Sequence, residues 1–315
     1  MTVDSRARPR FEPIFRKKIL AKRVTTRNFS YVITRLSFHW LNRIADDHLQ
    51  ARGHKMAVFA NEHIGGFIHA FGVYEQEELD ALFNFLEPLR DVFRAGMALD
   101  IGANIGNHSL YFSRTFNAVQ SFEPDPSTFY LLKFNVSFRK KITAYNIGLG
   151  DHKGTFRLLE VQKNMGASTI VSDQVEGKSS TDYVDVQIVR LDDLDYRDEG
   201  PCFIKIDVEG FEPRVLQGGL RTITKHWPLI VLEQHESAFT EGSTESIFIL
   251  KNLGYEFCWH QSGVRSRNTF VRRIFNIKEL FIGRTHKIIT AETIPAGDYS
   301  MLIAVPPRFR DLLHL

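Results

Sequence analysis

Ala98–Gly106 reads A-L-D-I-G-A-N-I-G, and Ala118–Asp125 reads A-V-Q-S-F-E-P-D. Together they predict a strand, a glycine turn, a helix and a second strand ending in an acid, which is the front half of a nucleoside-binding βαβ unit. Gly102 and Gly106 let the turn tighten and the backbone come close to a ligand. The helix that starts near Gly106 points its free N–H groups at the same place. Glu123 lies 23 positions after Asp100, close to the interval of about 20 at which a carboxylate accepts both hydroxyls of a ribose. The ligand is therefore expected to carry a ribose. A dinucleotide and S-adenosylmethionine both meet that condition. Dinucleotide sites favour G-x-G-x-x-G, whose second glycine admits the pyrophosphate, and the corresponding position here is Asn104. S-adenosylmethionine has no phosphate to seat. The glycine turn alone leaves both ligands open.

Outward from this unit, strands alternate with helices, which predicts a parallel sheet. Strands are expected at 97–101, 118–122, 142–147, Pro201–Asp207, Leu229–Glu233, Tyr255–Trp259 and Met301–Val305, and helices at 106–115, 126–138, 211–217 and Ile247–Asn252. Gly218-Gly219 reads as a helix stop. Upstream, apolar residues recur at helical spacing from Phe29 to His48. Met56–Ala60 and Gly66–Phe71 read as short β-like runs around a glycine turn, and Glu75–Leu89 reads as one helix closed by Pro88. Residues 154–160 and 183–191 alternate apolar and polar side chains, as half-exposed antiparallel strands do. The insert at about 151–190 is expected to overhang the site, and a second insert fills about 261–296. This gives an arm and amphipathic helix over 1–55, then one α/β domain over 56–315.

At 315 residues, with 43% hydrophobic and 24% charged residues, the chain has ordinary globular composition. The absence of a signal peptide and of an 18-residue apolar run predicts a soluble, cytoplasmic protein. Cys202 and Cys258 sit in apolar strand-like contexts and read as buried thiols. The net charge of +3 hides an asymmetry. Residues 1–28 hold nine basic side chains and two acidic ones, so the arm is strongly positive and the rest of the chain mildly acidic. No nucleic-acid-binding signature accompanies the arm. It reads as a solvated tail, with peripheral contact to an anionic membrane as the alternative.

The block I-K-I-D-V-E-G-F-E at Ile204–Glu212 is more specific than the glycine turn. Taken with D-I-G-A-N-I-G at 100–106, F-E-P at 122–124, N-M-G-A-S at 164–168 and E-Q-H at 233–235, it resembles the FkbM family of S-adenosylmethionine-dependent methyltransferases from about Ile64 to Val305. The resemblance implies a class I methyltransferase fold: a Rossmann-like, doubly wound α/β sheet of seven strands, the last antiparallel to the others. It also implies methyl transfer to a hydroxyl, often on a surface-glycan sugar or a natural product. The cofactor would lie over the carboxyl ends of the strands. The loop of Gly102, Ala103, Asn104 and Gly106 would pass under its methionine part, with Asp100 near the ammonium, Glu123 on the ribose, and Phe122 and Leu149 flanking the adenine.

An alcohol is a poor nucleophile while it holds its proton, so such an enzyme needs a base. Asp207 ends its strand and Glu209 lies two residues on; Glu233 and His235 follow the next strand. Glu209 and His235 are the candidate bases. Asp207 reads either as a contact to cofactor or acceptor or as the partner of Lys205, which alternation puts on the same strand face. Glu212 opens a helix, where the dipole favours a carboxylate. Asp207, Glu209 and Glu233 could also hold a divalent metal, although their spacing does not specify one, and no metal is assigned. Asn164, Gly166, Ser168 and Thr169 suit a polyhydroxylated acceptor. An NAD-dependent oxidoreductase and a noncatalytic scaffold are the competing readings. Asn104 disfavours the first, and retention of both the cofactor turn and the acids disfavours the second.

Overall fold

The computed structural model describes residues 29–52, 55–59, 62–159, 169–171, 183–196, 200–262, 283–291 and 293–315. The chain divides into two compact units, residues 1–43 and 44–315. Helix α1 covers Phe29–Arg52. In the first unit, Phe29, Val32, Ile33, Leu36 and Trp40 are exposed along it. No helix among the described residues is long and apolar enough to cross a membrane.

The second unit is built on two sheets. The larger contains β1 (Met97–Ile101), β2 (Ala118–Phe122), β3 (Ile142–Tyr145), β8 (Pro201–Ile206), β9 (Leu229–Gln234), β10 (Glu256–Ser262), β11 (His286–Thr290) and β12 (Tyr299–Val305). Its strand order is β11-β10-β12-β9-β8-β1-β2-β3. The run from β9 to β3 is parallel, and β12 is antiparallel to both its neighbours. Without β11 this is the doubly wound seven-stranded sheet with one reversed strand. β11 adds an eighth, antiparallel to β10 at the edge. The smaller sheet has the order β4-β7-β5-β6, from Gly148–Gly150, Tyr183–Arg190, Gly154–Leu159 and Thr169–Val171.

Burial explains these assignments. Every residue of β1 and β8 is buried, as expected of parallel strands covered on both faces. On β5 and β7 burial alternates instead, so one face meets water. Phe203 of β8 lies at the centre of the core on one face, its ring 5.2–6.0 Å from those of Phe83, Phe93, Phe112 and Phe116. Ile204 and Ile206 point to the opposite core with Leu99, Ile101, Ile230 and Leu232. Cys202 and Cys258 are buried free thiols, and burial pushes each up to about 12.

The other helices are α2 (His63–Phe71), α3 (Gln76–Phe85), α4 (Arg90–Ala95), α5 (Asn107–Phe112), α6 (Pro126–Val136), α7 (Glu212–Gln217), α8 (Leu220–His226), α9 (Glu245–Asn252) and α10 (Arg310–Leu313). Two expectations are corrected. The β-like reading of 66–71 fails because Ile64, Phe67, Ile68 and Phe71 follow helical spacing, and α2 forms there; residues 55–59 have no regular structure. The single helix at 75–89 is α3 followed by a 3-10 turn at Glu87–Leu89, and α4 continues beyond it. The stop at Gly218-Gly219 holds: α7 ends at Gln217 with Gly218 as its C-cap, and a separate helix, α8, starts at Leu220, where Asp192 accepts the N–H groups of Arg221 and Thr222.

Candidate active site

The carboxyl ends of β1, β2, β8 and β9 open into a cavity of about 190 Å³. Its floor is the loop between β1 and α5. Three of that loop's five residues from Gly102 to Gly106 have left-handed backbone: Gly102 at φ 76°, Asn104 at φ 48° and Gly106 at φ 92°. A Cβ on Gly102 would lie 1.7 Å from the Asp207 carbonyl oxygen, so the glycine is required by the approach of two strand ends. Asn104 holds its conformation by accepting the Ile105 N–H through Oδ1 at 2.7 Å. The turn is anchored where the Gly102 and Ala103 N–H groups both donate to the Phe122 carbonyl at 3.0 Å.

Glu123 is buried in the cavity wall. Its Oε2 accepts the Asn104 N–H at 2.9 Å, and its Oε1 accepts the Asp125 N–H at 3.0 Å. Burial pushes the carboxyl up to about 7, against the pull of those two hydrogen bonds. A carboxylate oxygen accepts more than one hydrogen bond, so each oxygen retains capacity for a hydroxyl donor. Phe122 stacks on Tyr145 at 5.2 Å and lines the same wall with Leu149.

Across the floor lies a buried ionic layer. β1 and β8 are in register with Asp100 opposite Lys205 and, on the other side, Asp100 opposite Ser121 of β2. Lys205 Nζ lies 2.9 Å from Asp207 and 3.6 Å from Asp100, and it donates to the Gly102 carbonyl at 3.2 Å. Ser109 Oγ donates to Asp100 at 2.5 Å. Burial alone would lower the Lys205 pKa, but the Asp207 and Asp100 charges outweigh it and keep the ammonium charged.

The Asp207, Glu209 and Glu233 carboxylates converge, with one oxygen of each within 4.8 Å of the others. Burial and the Asp207 charge drive the Glu233 carboxyl well above its ordinary range, so it is protonated at neutral pH. Burial would also raise Asp207, but Lys205 and the hydrogen bond from Glu233 outweigh it and keep Asp207 ionised. Glu209, at φ 50° and followed by Gly210 at φ 92°, is turned toward the cavity. Burial, then the Asp207 charge, raise its pKa. Glu212 fixes this loop, because its Oε1 accepts the N–H groups of Val208 and Gly210 at 3.2 and 3.1 Å.

Of the residues marked by the sequence, Gly102, Ala103, Asn104, Phe122, Glu123, Leu149, Asp207, Glu209 and Glu233 line the one cavity. Asp100 does not. It is fully buried beneath the loop, consumed by Lys205 and Ser109, which removes it from the expected ammonium contact. Gly106 is likewise packed against α6, where a Cβ would meet Leu132 at 2.8 Å. His235 stands beside the lining, with Nε2 3.5 Å from Glu209 and Nδ1 3.9 Å from Asp298. Asn164, Gly166 and Ser168 lie outside the described residues, and Thr169 is the first residue of β6.

His63, Tyr74, Glu75 and His108 also line the cavity, and no motif marks them. His108 carries a legible signal, two positions beyond Gly106 at the start of α5. Tyr74 and Glu75 carry none, because their place depends on a long-range tie: Asn107 exchanges hydrogen bonds with the Tyr74 backbone at 2.8 and 3.0 Å. Glu75 then meets His108 at 3.2 Å.

The family profile described as "Methyltransferase FkbM domain" matches residues 100–257. The methyltransferase sdnD of Sordaria araneosa is 28% identical over 193 residues, which are 50% of this chain and 73% of that protein. Among solved structures, the methyltransferase FkbM of Methylobacillus flagellatus KT is 22% identical, with 52% of this chain covered and a TM-score of 0.35. This chain spans 39% of that chain's length. Magnesium protoporphyrin IX methyltransferase of Synechocystis PCC 6803, solved with bound SAM, is 8% identical over 89% of this chain and 99% of that one, with a TM-score of 0.37.

Lys205→Met is expected to destabilise the protein by about 3–5 kcal/mol at pH 7, because buried Asp100 and half-buried Asp207 lose their shared cation. Asp207 is depressed by Lys205, so its contribution is present above the ordinary aspartate pKa and lost as pH falls through the folded value. The deficit in urea unfolding should therefore be largely kept at pH 4 and shrink as pH falls toward about 2.

Proposed function

The chain belongs to the FkbM family of S-adenosylmethionine-dependent methyltransferases, and from that premise we propose that it methylates a hydroxyl oxygen on a glycan sugar or a natural product. The observation that carries this reading is the Glu209–His235 pair at the cavity edge. A carboxylate raised above its ordinary pKa, with an imidazole 3.5 Å away, is what removal of an alcohol proton requires. The oxidoreductase and scaffold readings give way to the family assignment.

The cavity fits the cofactor. Glu123 retains acceptor capacity on both oxygens for the ribose hydroxyls, and Phe122 and Leu149 offer apolar wall to the adenine. The Asn104 side chain occupies the position where a second glycine would admit a pyrophosphate. When bound, S-adenosylmethionine supplies an activated methyl group, which leaves alignment and proton removal to the protein.

The carboxylates divide that work by their environments. Glu233 already holds a proton, and Asp207 is tied to Lys205, which makes it a weak base. Glu209 is the stronger base and takes the acceptor proton, which His235 can then pass toward solvent. The Lys205 ammonium neutralises Asp207 from within the cluster, so the trio needs no divalent cation to balance it. The basic arm at 1–28 lies outside the described residues, and its proposed contact with anionic lipid rests on charge alone. Screening hydroxylated glycans and polyketides with labelled S-adenosylmethionine tests the reading, and an N-, S- or C-methyl product would overturn it.

Binding requires ionised Glu123, so affinity for S-adenosylmethionine should weaken as pH falls through about 7, by up to about tenfold per unit. Glu123→Ala should weaken it about a hundredfold and abolish that dependence, as read by calorimetry. For Glu209, kcat/KM should rise with pH along an acid limb whose midpoint exceeds the ordinary glutamate value. Glu209→Gln should lower turnover by about 10² to 10⁴ while leaving cofactor affinity intact, and His235→Ala should lower it less. Treatment with EDTA should leave turnover unchanged, and loss restored by Mg²⁺ would assign the carboxylates to a metal instead.

A further inference from the structure

Residues 126–150 contain four basic side chains, Lys133, Arg139, Lys140 and Lys141, and no acidic one. The segment begins with α6. That helix buries Thr128, Leu132, Asn135 and Val136 and turns its other side outward. There Tyr130 is 73% exposed and Phe134 51%, and Phe138, in the turn that closes the helix, is 61% exposed. These three are spaced i, i+4 and i+8, so they form one stripe. Lys133 and Lys140 are exposed on the same segment, and Lys141 reaches back to the Phe116 carbonyl at 3.1 Å. Three large apolar side chains left in water beside the exposed Lys133 and Lys140 call for a partner that is apolar and anionic at once.

We propose that the outward face of α6, Tyr130, Phe134 and Phe138 with Lys133 and Lys140, is a peripheral docking surface for an anionic phospholipid membrane. Aromatic rings at the headgroup boundary with lysines above them match the chemistry of that interface. A second copy of the chain fits poorly, because a two-fold contact would set the positive patch against itself. A single-stranded nucleic acid fits poorly too, because Phe134 and Phe138 pack edge to face at 5.8 Å and so cover ring surface that base stacking needs. α6 leaves β2 at the cavity end of the sheet and returns to the start of β3. Phe138 and Lys140 therefore sit at the rim opposite the cavity, and docking there leaves the cavity free for an acceptor.

The test is cosedimentation of the full chain with phosphatidylcholine vesicles, with and without phosphatidylserine, at low salt. Wild type should bind only the anionic vesicles. Phe134→Ser with Phe138→Ser should weaken binding at least about tenfold through lost apolar burial. Lys133→Gln with Lys140→Gln should weaken it about 25-fold, about fivefold for each charge removed. Unchanged melting temperatures would show that both variants fold, as their exposure leads one to expect. Vesicle binding equal to wild type in both variants would assign any affinity to the arm at 1–28 and overturn the proposal, as would no binding by wild type. A dimer that the phenylalanine substitutions convert to a monomer, or single-stranded RNA binding that they abolish, with vesicle binding unaffected, would assign the face to another partner.

Discussion

A single ammonium, that of Lys205, holds together the part of the fold where chemistry can occur. It lies between Asp100 of β1 and Asp207 at the end of β8, and it also bonds the Gly102 carbonyl at the start of the glycine loop. It bonds Asp207 and the Gly102 carbonyl directly and meets Asp100 at ion-pair distance. Removing two adjacent strands' carboxylates from water is unfavourable unless a cation joins them, so β1 and β8 are in effect stitched at their carboxyl ends. The same contact sets the distance at which Gly102 passes the Asp207 carbonyl, a distance that leaves no room for a side chain.

From that layer the electrostatics of the cavity follow outward. Lys205 holds Asp207 as an anion, and the Asp207 anion together with burial keeps Glu233 neutral. Glu209 lies beside His235, which offsets part of the repulsion from Asp207. Three carboxyl groups within one small volume thus hold different protonation states without rearranging, because each sits beside a different partner. Two consecutive left-handed residues, Glu209 and Gly210, are needed to turn the third carboxylate inward, and Glu212 secures that turn through two backbone N–H groups. The D-V-E-G-F-E block is therefore a single mechanical unit. Asp207 meets the lysine, Glu209 lines the cavity, Gly210 permits the turn and Glu212 locks it.

The sequence by itself determined the strands at 97–101 and 118–122, the buried strand from Pro201, the acid Glu123 that follows the second strand, the pairing of Lys205 with Asp207 and the place of Glu212 at the start of a helix. Each depends on spacing within a few residues, or on a continuous apolar run, and both are written directly into the chain. Tertiary structure alone decided the rest. Asp100 looks like a ligand contact in the motif, yet cross-strand register places it opposite Lys205 and Ser121, below the cavity. The Gly65-Gly66 pair suggests a turn, whereas burial of Gly65 and Ile68 against the body favours the helix α2. β11 joins the sheet edge by pairing with β10, a contact no local pattern encodes. Tyr74 and Glu75 reach the cavity through a hydrogen bond to Asn107, 33 positions away. Local sequence sets which way a side chain points from its own backbone; only the packing of distant segments sets what stands in front of it.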